Sequence, residues 1–459
     1  MPESPDDAIR PGPPGELRPR DWWRQEGGAG DERKAQQVRL IQQAFEKAGT
    51  PIGIYPSDDR PQDMEYMYRR MSVLARDVDA ERVQRALGVS EPTVDKRRLR
   101  GGLGRANGET PVSVSGLTLI ELPPSGVQHD FADDTQYWFS ELDAILGVGV
   151  AVPDHVVHIS PNAGGCPATE PLPSAGPPQP PVDEDPSTDG RSVKVVVIDT
   201  GLAAGVVDEH HWLDGVTGDP EPPSVGHYRG HGSFVAGVLR TMAPASEVHV
   251  RAFFVIGGAI LESDLAVKLE SALDEMPDII SMSAGTTTRG GLPLLALENF
   301  WVEHLSRVKG TVLVAAAGND GNRGPFYPAA FPWSVSVGAL EADGTRAGYS
   351  NHGSWVDVYA RGSDMVNAFP RGWYQYFEDP YVGQWSHFLT GMASWDGTSF
   401  STPLVSGLIA GRMTWSGENA RDAAAALLAI ARAQARVGVG AVLEPGDAAP
   451  PGLAARVVD

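Results

Sequence analysis

Short, nearly continuous apolar runs that are rich in β-branched residues recur through the second half of the sequence. They are SVKVVVIDTG (192–201), VHVRAFFVI (248–256), DIISMSA (278–284), TVLVAAAG (311–318) and WSVSVGAL (333–340). Amphipathic stretches with helical spacing separate them. Strands that alternate with helices predict an α/β domain over 191–440, in which a parallel sheet carries helices on both faces. An Ala-rich amphipathic stretch at 419–435 is interpreted as a helix that packs on this domain.

The first half of the sequence has a different pattern. Residues 31–48 place Ala35, Val38, Ile41, Phe45 and Ala48 at helical spacing, and Gly49 follows as a stop. Residues 62–87 repeat that spacing with a stripe of apolar residues: Met64, Met67, Met71, Leu74, Val78 and Val83. We therefore predict a helical N-terminal region over 31–110 whose methionines belong to the core.

Three further segments complete the predicted organisation. Residues 111–160 read as strand, helix and strand, which predicts a small α+β unit. Residues 161–190 contain nine prolines and four glycines and are interpreted as a linker. Residues 1–30 are expected to be disordered, 95–105 to form a basic loop, and 441–459 to form a C-terminal tail.

Composition and charge exclude several classes of function. The net charge of −22 argues against nucleic-acid binding, which needs a basic face. The single cysteine, Cys166, excludes an intrachain disulfide and a thiolate metal cage. The N-terminal stretch has no apolar core of a secretory signal, and no window is long and apolar enough to span a membrane. These features predict a cytoplasmic protein with no membrane partner.

Four polar residues stand where the apolar runs end or a helix begins. Asp199 closes a predicted strand, Asn319 follows another, His231 precedes a helical pattern, and Ser399 lies in GTSFSTP at a helix start. Each has an ordinary structural interpretation as a strand cap, a turn residue or a helix cap. Because the carboxyl ends of parallel strands share one edge of the sheet, the four are also candidates for one site.

Taken together, DTG (199–201), HGSFVAG (231–237), GND (318–320) and GTSFSTP (397–403) resemble the motifs of the subtilisin-like serine peptidases, the subtilase family. The resemblance covers about 192–415. It implies that Ser399 is the nucleophile, His231 the general base and Asp199 its orienting partner, with Asn319 in the oxyanion hole. It also implies that Ser283, Ala284 and Gly285 pair with an extended substrate. The sedolisins, which lack a catalytic histidine, are disfavoured by HGSFVAG.

The resemblance further predicts the partners of the protein. The expected substrate is a protein or a peptide, cleaved by limited processing, and no cofactor is required. Structural calcium is common in the family, but no D-x-D-type loop assigns a site here. Residues 111–160 resemble the end of a subtilase propeptide, an inhibitor and chaperone; the alternative is a permanent regulatory domain.

Two alternatives follow from the residues themselves. The aromatic-rich segment 365–395 before the nucleophile is either a packed surface insertion or a wall of the peptide cleft. The competing function is a catalytically silent subtilisin-like module that binds peptides and does not turn them over.

Overall fold

The computed structural model describes residues 29–88, 116–159, 169–182, 192–378 and 381–448 of the 459-residue protein. The predicted disorder of residues 1–28, the basic loop, Cys166 and residues 449–459 of the predicted tail lie outside the described residues. None of the described helices is both long enough and apolar enough to cross a bilayer.

The N-terminal region mixes helices and strands. Its elements are α1 (Ala29–Lys47), β1 (Ile52–Tyr55), β2 (Tyr66–Arg69), β3 (Ser72–Arg76), α2 (Asp77–Ala86), β4 (Leu117–Glu121), α3 (Asp134–Leu146), β5 (Ala151–Val152) and β6 (Val156–His158). The helix predicted over 31–48 is confirmed as α1, with Val38, Ile41 and Phe45 fully buried.

The helix predicted over 62–87 is wrong. This segment is β2, β3 and the short helix α2, and Val78 is exposed. Met64 and Met67 do lie in the core, together with their strand neighbours Tyr66 and Tyr68. Because β2 is buried on both faces, its burial has no period of two, and a continuous apolar pattern does not distinguish such a strand from a helix.

The two predicted N-terminal units, 31–110 and 111–160, share one sheet. In it β3 pairs antiparallel with both β4 and β5, in the order β4-β3-β5. The strand–helix–strand pattern predicted for 111–160 is present as β4, α3 and β5. The boundary at residue 110 therefore does not separate two independently packed layers.

The predicted linker is packed over part of its length. Residues 169–182 contain β7 (Leu172–Pro173), which pairs with a strand of the C-terminal half, and Glu170 is buried. The high proline content therefore indicates a segment with few β-sheet hydrogen bonds, and not a flexible linker over 169–182.

The C-terminal half contains the predicted α/β domain. Its elements are β8 (Lys194–Asp199), α4 (Val206–Glu209), β9 (Thr217–Gly218), α5 (His231–Met242), β10 (Glu247–Ala252), β11 (Ala259–Leu261), α6 (Glu262–Leu273), β12 (Ile279–Met282), α7 (Leu295–Glu303), β13 (Val312–Ala316), β14 (Ser334–Leu340), β15 (Val358–Arg361), β16 (Met365–Ala368), β17 (Gly372–Gln375), β18 (Trp385–Phe388), β19 (Met392–Trp395), α8 (Thr398–Ser416) and α9 (Ala420–Ala433).

Seven parallel strands form the central sheet, in the order β15-β14-β13-β12-β8-β10-β9. Alternate residues of β8 point to opposite faces. Val195 and Val197 pack with α5 and α8, while Val196 and Ile198 pack with α6 and α7. The fold class predicted from the sequence is confirmed, and α9 packs on the same core as α8 through its buried alanines and Leu427.

The aromatic-rich segment forms two antiparallel pairs of strands. β16 pairs with β19, and β17 pairs with β18 within the connection between them. Tyr374, Phe388 and Trp395 are buried in the domain core, whereas Trp373 and Trp385 are exposed. The segment is thus partly core and partly surface.

Candidate active site

A buried carboxylate and a buried imidazole meet where β8 ends and α5 begins. His231 Nδ1 lies 2.8 Å from Asp199 Oδ1 and 3.0 Å from Oδ2, and Thr200 N–H donates to Oδ1 at 2.8 Å. A Cβ at Gly232 would lie 2.4 Å from the carbonyl oxygen of Gly201, so only glycine lets α5 begin this close to β8. An Nδ1–H donated to Asp199 leaves Nε2 of His231 as a proton acceptor.

Ser399 is the second residue of α8 and so lies at a helix start, as the sequence predicted. Gly397 precedes the helix with φ 155°, a conformation that favours glycine, and Ser399 lies in the first turn, at the positive end of the helix dipole. Ser399 and His231 line the same cavity of about 20 Å³, which has room for roughly one water molecule. Among the hydrogen bonds of the described residues, none joins Ser399 Oγ to His231; the hydroxyl lies 3.5 Å from the carbonyl oxygen of Ser283.

A helix accommodates proline most easily in its first turn, but Pro403 lies beyond the first turn of α8. It has no N–H to donate to the carbonyl of Ser399, four residues earlier. Ser283 Oγ donates to that carbonyl instead, at 2.8 Å. The hydroxyl of Ser283 therefore ties the end of β12 to the start of α8.

Asn319 follows β13 and is completely buried. Its Oδ1 accepts two hydrogen bonds of 2.9 Å, one from the N–H and one from the hydroxyl of Thr398. Its Nδ2 has no hydrogen-bond partner among the described residues. A buried donor without an acceptor costs about 1–3 kcal/mol, so an unpartnered amide at this position indicates a group held ready for a ligand oxygen.

Thr398 is a residue that the sequence analysis missed. Besides orienting Asn319, its hydroxyl accepts from Gly318 N–H at 3.2 Å, and its carbonyl accepts from Ser401 and Thr402 at 3.1 and 2.8 Å. The signal was present in the sequence, since Thr398 stands between the glycine and the candidate nucleophile. Ser401 and Thr402 have packing roles in the first turns of α8.

Comparison with known proteins identifies the family to which this chain belongs. The model of the Peptidase_S8 subtilase family matches residues 190–435, which is more than half of the chain. The chain belongs to the subtilase family. This is a family of serine peptidases, which are hydrolases.

Individual relatives match about half of this subtilase. It is 29% identical over 230 residues to M-protease of Shouchella clausii (strain KSM-K16), a match that covers 48% of this chain and 54% of M-protease. It is 28% identical over 256 residues to Thermitase of Thermoactinomyces vulgaris, covering 52% and 81%. The chain thus spans about half the length of M-protease. A solved structure, the prenylagaramide maturation protease PagA, shares 26% identity over 53% of this chain and 84% of that one, with a TM-score of 0.42.

The segment predicted to bind substrate is occupied by another part of the subtilase. Ser283 and Ala284 are buried, and Gly285 exchanges two backbone hydrogen bonds of 3.0 Å with His158 of β6. On its other edge β6 pairs antiparallel with β11. A strand of the N-terminal region therefore lies between β11 and Gly285.

Glu221 is a second residue that the sequence analysis missed. Its Oε1 accepts from Gly230 N–H at 2.6 Å and from the Thr200 hydroxyl at 3.2 Å. Glu221 therefore contacts the residue that follows Asp199 and the residue that precedes His231. Burial raises the pKa of Glu221 to about 7, and the charge of Asp199 adds to the effect. No motif marks Glu221, because it lies in a loop and its partners are brought to it by the fold.

No cluster of three or more His, Cys, Asp or Glu side chains that could hold a metal ion occurs in the part of the protein that the structure describes. The calcium that the resemblance allows stays without an assigned site.

Replacing Asn319 by alanine is expected to lower kcat about 10²–10³-fold and to leave KM nearly unchanged, because the amide would act only on the charge of the transition state. Steady-state kinetics on a peptide substrate measure both constants. Asn322→Ala, in an exposed loop, is the matched control and should retain activity. An equal loss in both variants, or a change confined to KM, contradicts the assignment.

Proposed function

We propose that the protein is a serine endopeptidase that hydrolyses peptide bonds through an acyl-enzyme. Ser399 is the nucleophile, His231 the general base and acid, Asp199 the partner that holds the imidazole, and Asn319 an oxyanion donor. The observation that carries the proposal is the buried Asp199–His231 pair, whose imidazole lines one cavity with a serine at a helix N-terminus. The membership of the subtilase family supports it.

The proposed reaction uses these groups in sequence. Ser399 Oγ attacks the carbonyl carbon while its proton passes to Nε2 of His231, and Asp199 stabilises the imidazolium. The oxyanion accepts hydrogen bonds from Asn319 Nδ2 and the N–H of Ser399. The C–N bond then breaks as His231 returns the proton to the leaving amine. Water attacks the acyl-enzyme in the same way, which releases the carboxylic acid and restores the Ser399 hydroxyl.

Labelling by a fluorophosphonate tests this function. A recognition sequence for a specific protease is inserted after Gly165 of the full-length protein, which is cut there before the assay; a protein with a scrambled insert is the control. We expect labelling of the cut protein and none in Ser399→Ala. No labelling of the cut protein would favour the silent peptide-binding module.

We also propose that the N-terminal region inhibits this active site by acting as a substrate strand. β6 adds to β11 on one side and to Gly285 on the other, and Ile159, which follows it, lines the cavity of Ser399 and His231. This is the arrangement that an extended peptide takes when it joins a sheet edge.

Charged contacts outside the cleft hold the inhibitory strand in place. Asp154, two residues before the strand, accepts from Arg69 at 2.8 Å and from Ser263, at the N-terminus of α6, at 2.9 Å. Arg289, beyond Gly285, pairs with Asp143 of α3 at 2.6 Å. The N-terminal region is thus anchored on both sides of the candidate cleft, which supports a role as inhibitor and folding template.

His158→Pro is expected to raise peptidase activity of the uncut protein severalfold, since proline removes the N–H that donates to Gly285 and cannot lie in the middle of a sheet. Initial rates on a small peptide measure the effect, and thermal unfolding confirms that the variant is folded. Val78→Pro, at an exposed position in the first turn of α2, is the control. A folded His158→Pro protein with unchanged activity would count against inhibition by β6.

The biological role that fits an inhibited site is limited processing of a particular protein or peptide, and the cytoplasmic location stays a prediction. The aromatic-rich segment contributes Trp395 to the wall of the cavity, 5.4 Å from the ring of His231. This supports the interpretation of that segment as part of the cleft wall.

A further inference from the structure

A buried ion pair joins the N-terminal helix to the aromatic-rich segment. Arg33 of α1 donates to Glu378 Oε2 through Nε at 3.2 Å and through Nη2 at 2.5 Å. Gln37, one turn later on α1, donates to Glu378 Oε1. Arg33, Gln37 and Glu378 are each no more than 3% exposed. A carboxylate this deeply buried is stable only with a cation and hydrogen-bond donors around it.

The position of Glu378 is set by residues of the C-terminal half and of segment 169–182. The carboxylate of Glu170 accepts from the N–H groups of Phe377 and Glu378 at 2.8 and 2.9 Å, and from the hydroxyl of Tyr374 at 3.0 Å. Burial raises the pKa of Glu170, and the charge of Glu378 raises it further. Glu170 thus favours its neutral form, and Arg33 forms its ion pair with Glu378.

The carboxylate of Glu378 lies on the wall of the candidate catalytic cavity. Glu378, Glu170 and Gln37 line the same cavity as Ser399 and His231. The glutamate is therefore near the path of any peptide that passes the candidate nucleophile.

The direction of the polypeptide through the cleft indicates which part of a substrate would reach Glu378. β6 runs from Val156 to His158 along Gly285, and Ile159 then enters the cavity. Thr169 and Glu170, further along the sequence, line the same cavity beside Trp395, whose indole N–H donates to the carbonyl of Thr169. A peptide bound in the direction of β6 therefore places the residues that follow the reacting bond on the side of Glu170 and Glu378.

We propose that Glu378, held by Glu170, is a specificity-determining residue that selects an arginine or a lysine on the C-terminal side of the scissile bond, and that Arg33 occupies this subsite when α1 is docked. The inference rests on the proposed peptidase function. Departure of α1 removes Arg33 and Gln37 together, which leaves the carboxylate of Glu378 on the cavity wall for a substrate cation to neutralise. Arginine fits best, because its planar guanidinium makes the same paired hydrogen bonds as Arg33.

The first test asks whether the site binds a guanidinium by itself. Ethylguanidinium is added to the full-length Arg33→Ala variant, and neutral N-ethylurea is the matched probe. We expect ethylguanidinium, and not N-ethylurea, to raise the melting temperature, and the double variant Arg33→Ala/Glu378→Gln to lose this response. Equal responses to both probes, or a response that survives Glu378→Gln, would overturn the subsite. This test does not depend on peptidase activity.

The second test measures specificity. The protein with the recognition sequence after Gly165 is cut and given matched peptides with Arg or Gln at each of the first four positions after the cleaved bond. At one position we expect kcat/KM to favour Arg about tenfold or more, and Glu378→Gln to bring this ratio close to one. Glu209→Gln, whose carboxylate pairs with Arg371 on the surface, should leave the ratio unchanged.

Each remaining outcome has a defined meaning. A ratio near one at all four positions in the unsubstituted protein overturns the specificity role. If Glu378→Gln accelerates the Arg and Gln peptides equally, the contact serves only to hold α1 and the proposal is wrong. If no peptide is cleaved and fluorophosphonate does not label Ser399, the proposed function fails, and the guanidinium test still decides whether the cation site exists.

Discussion

Ser399→Ala is expected to lower kcat about 10⁴–10⁶-fold, because it removes the oxygen that forms the acyl-enzyme while the oxyanion donors remain. The cut protein, assayed on a peptide substrate, gives the rate constant. Thermal unfolding should be almost unchanged, since within the described part of the protein the Ser399 hydroxyl makes only a long 3.5 Å hydrogen bond.

Ser401→Ala is the matched control for that result. Ser401 lies two residues further along α8, is completely buried, and donates only to the carbonyl of Thr398 at 3.1 Å. We expect kcat within about threefold of the unsubstituted protein and a loss of about 1 kcal/mol in the free energy of unfolding. If instead Ser401→Ala abolished turnover and Ser399→Ala retained it, the wrong hydroxyl would have been assigned.

Asp199→Asn should lower kcat about 10⁴-fold, through the tautomer of His231. Thr200 N–H donates to Oδ1 of residue 199, so an asparagine there would keep its carbonyl oxygen at that position and place its NH₂ where Oδ2 lies, 3.0 Å from His231 Nδ1. An Nδ1 that accepts from this NH₂ carries no proton, which places the proton on Nε2 and removes the base from Ser399.

Kinetics and thermal unfolding together measure the effect of Asp199→Asn. Asp208→Asn, in the exposed part of α4, is the control and should retain full activity. A folded Asp199→Asn protein that loses less than tenfold in kcat would show that the orientation of His231 does not limit the reaction.

The site residues that could be predicted from the sequence are those whose positions depend on their immediate neighbours in the sequence. Asp199 and Asn319 follow runs of residues that are apolar on both faces, which is typical of central parallel strands. His231 and Ser399 stand at helix starts; His231 lies between two glycines, where the backbone must pack closely, and Ser399 follows Gly397 and Thr398. Because parallel strands end at one edge of a sheet, the order of strands and helices along the sequence made the four residues candidates for one site, and their motifs pointed to the family.

The residues that sequence reasoning missed act through distant partners. Thr398 orients Asn319 across a separation of 79 positions, and Glu221 acts through Gly230 and Thr200. Arg33 and Glu378 are 345 positions apart, and nothing near either of them in the sequence indicates the other. The helix predicted over 62–87 failed for a related reason, since the burial of β2 on both faces hides the strand periodicity.

The sequence by itself determined the subtilase family, the α/β architecture and the candidate triad, because these depend on motifs and periodicities a few residues long. Only the tertiary structure decided what lies in the cleft. It placed β6 between β11 and Gly285 and brought Arg33 to Glu378, and both contacts depend on the packing of separate segments. Backbone pairing and buried charge are properties of the folded protein, which local sequence patterns do not encode.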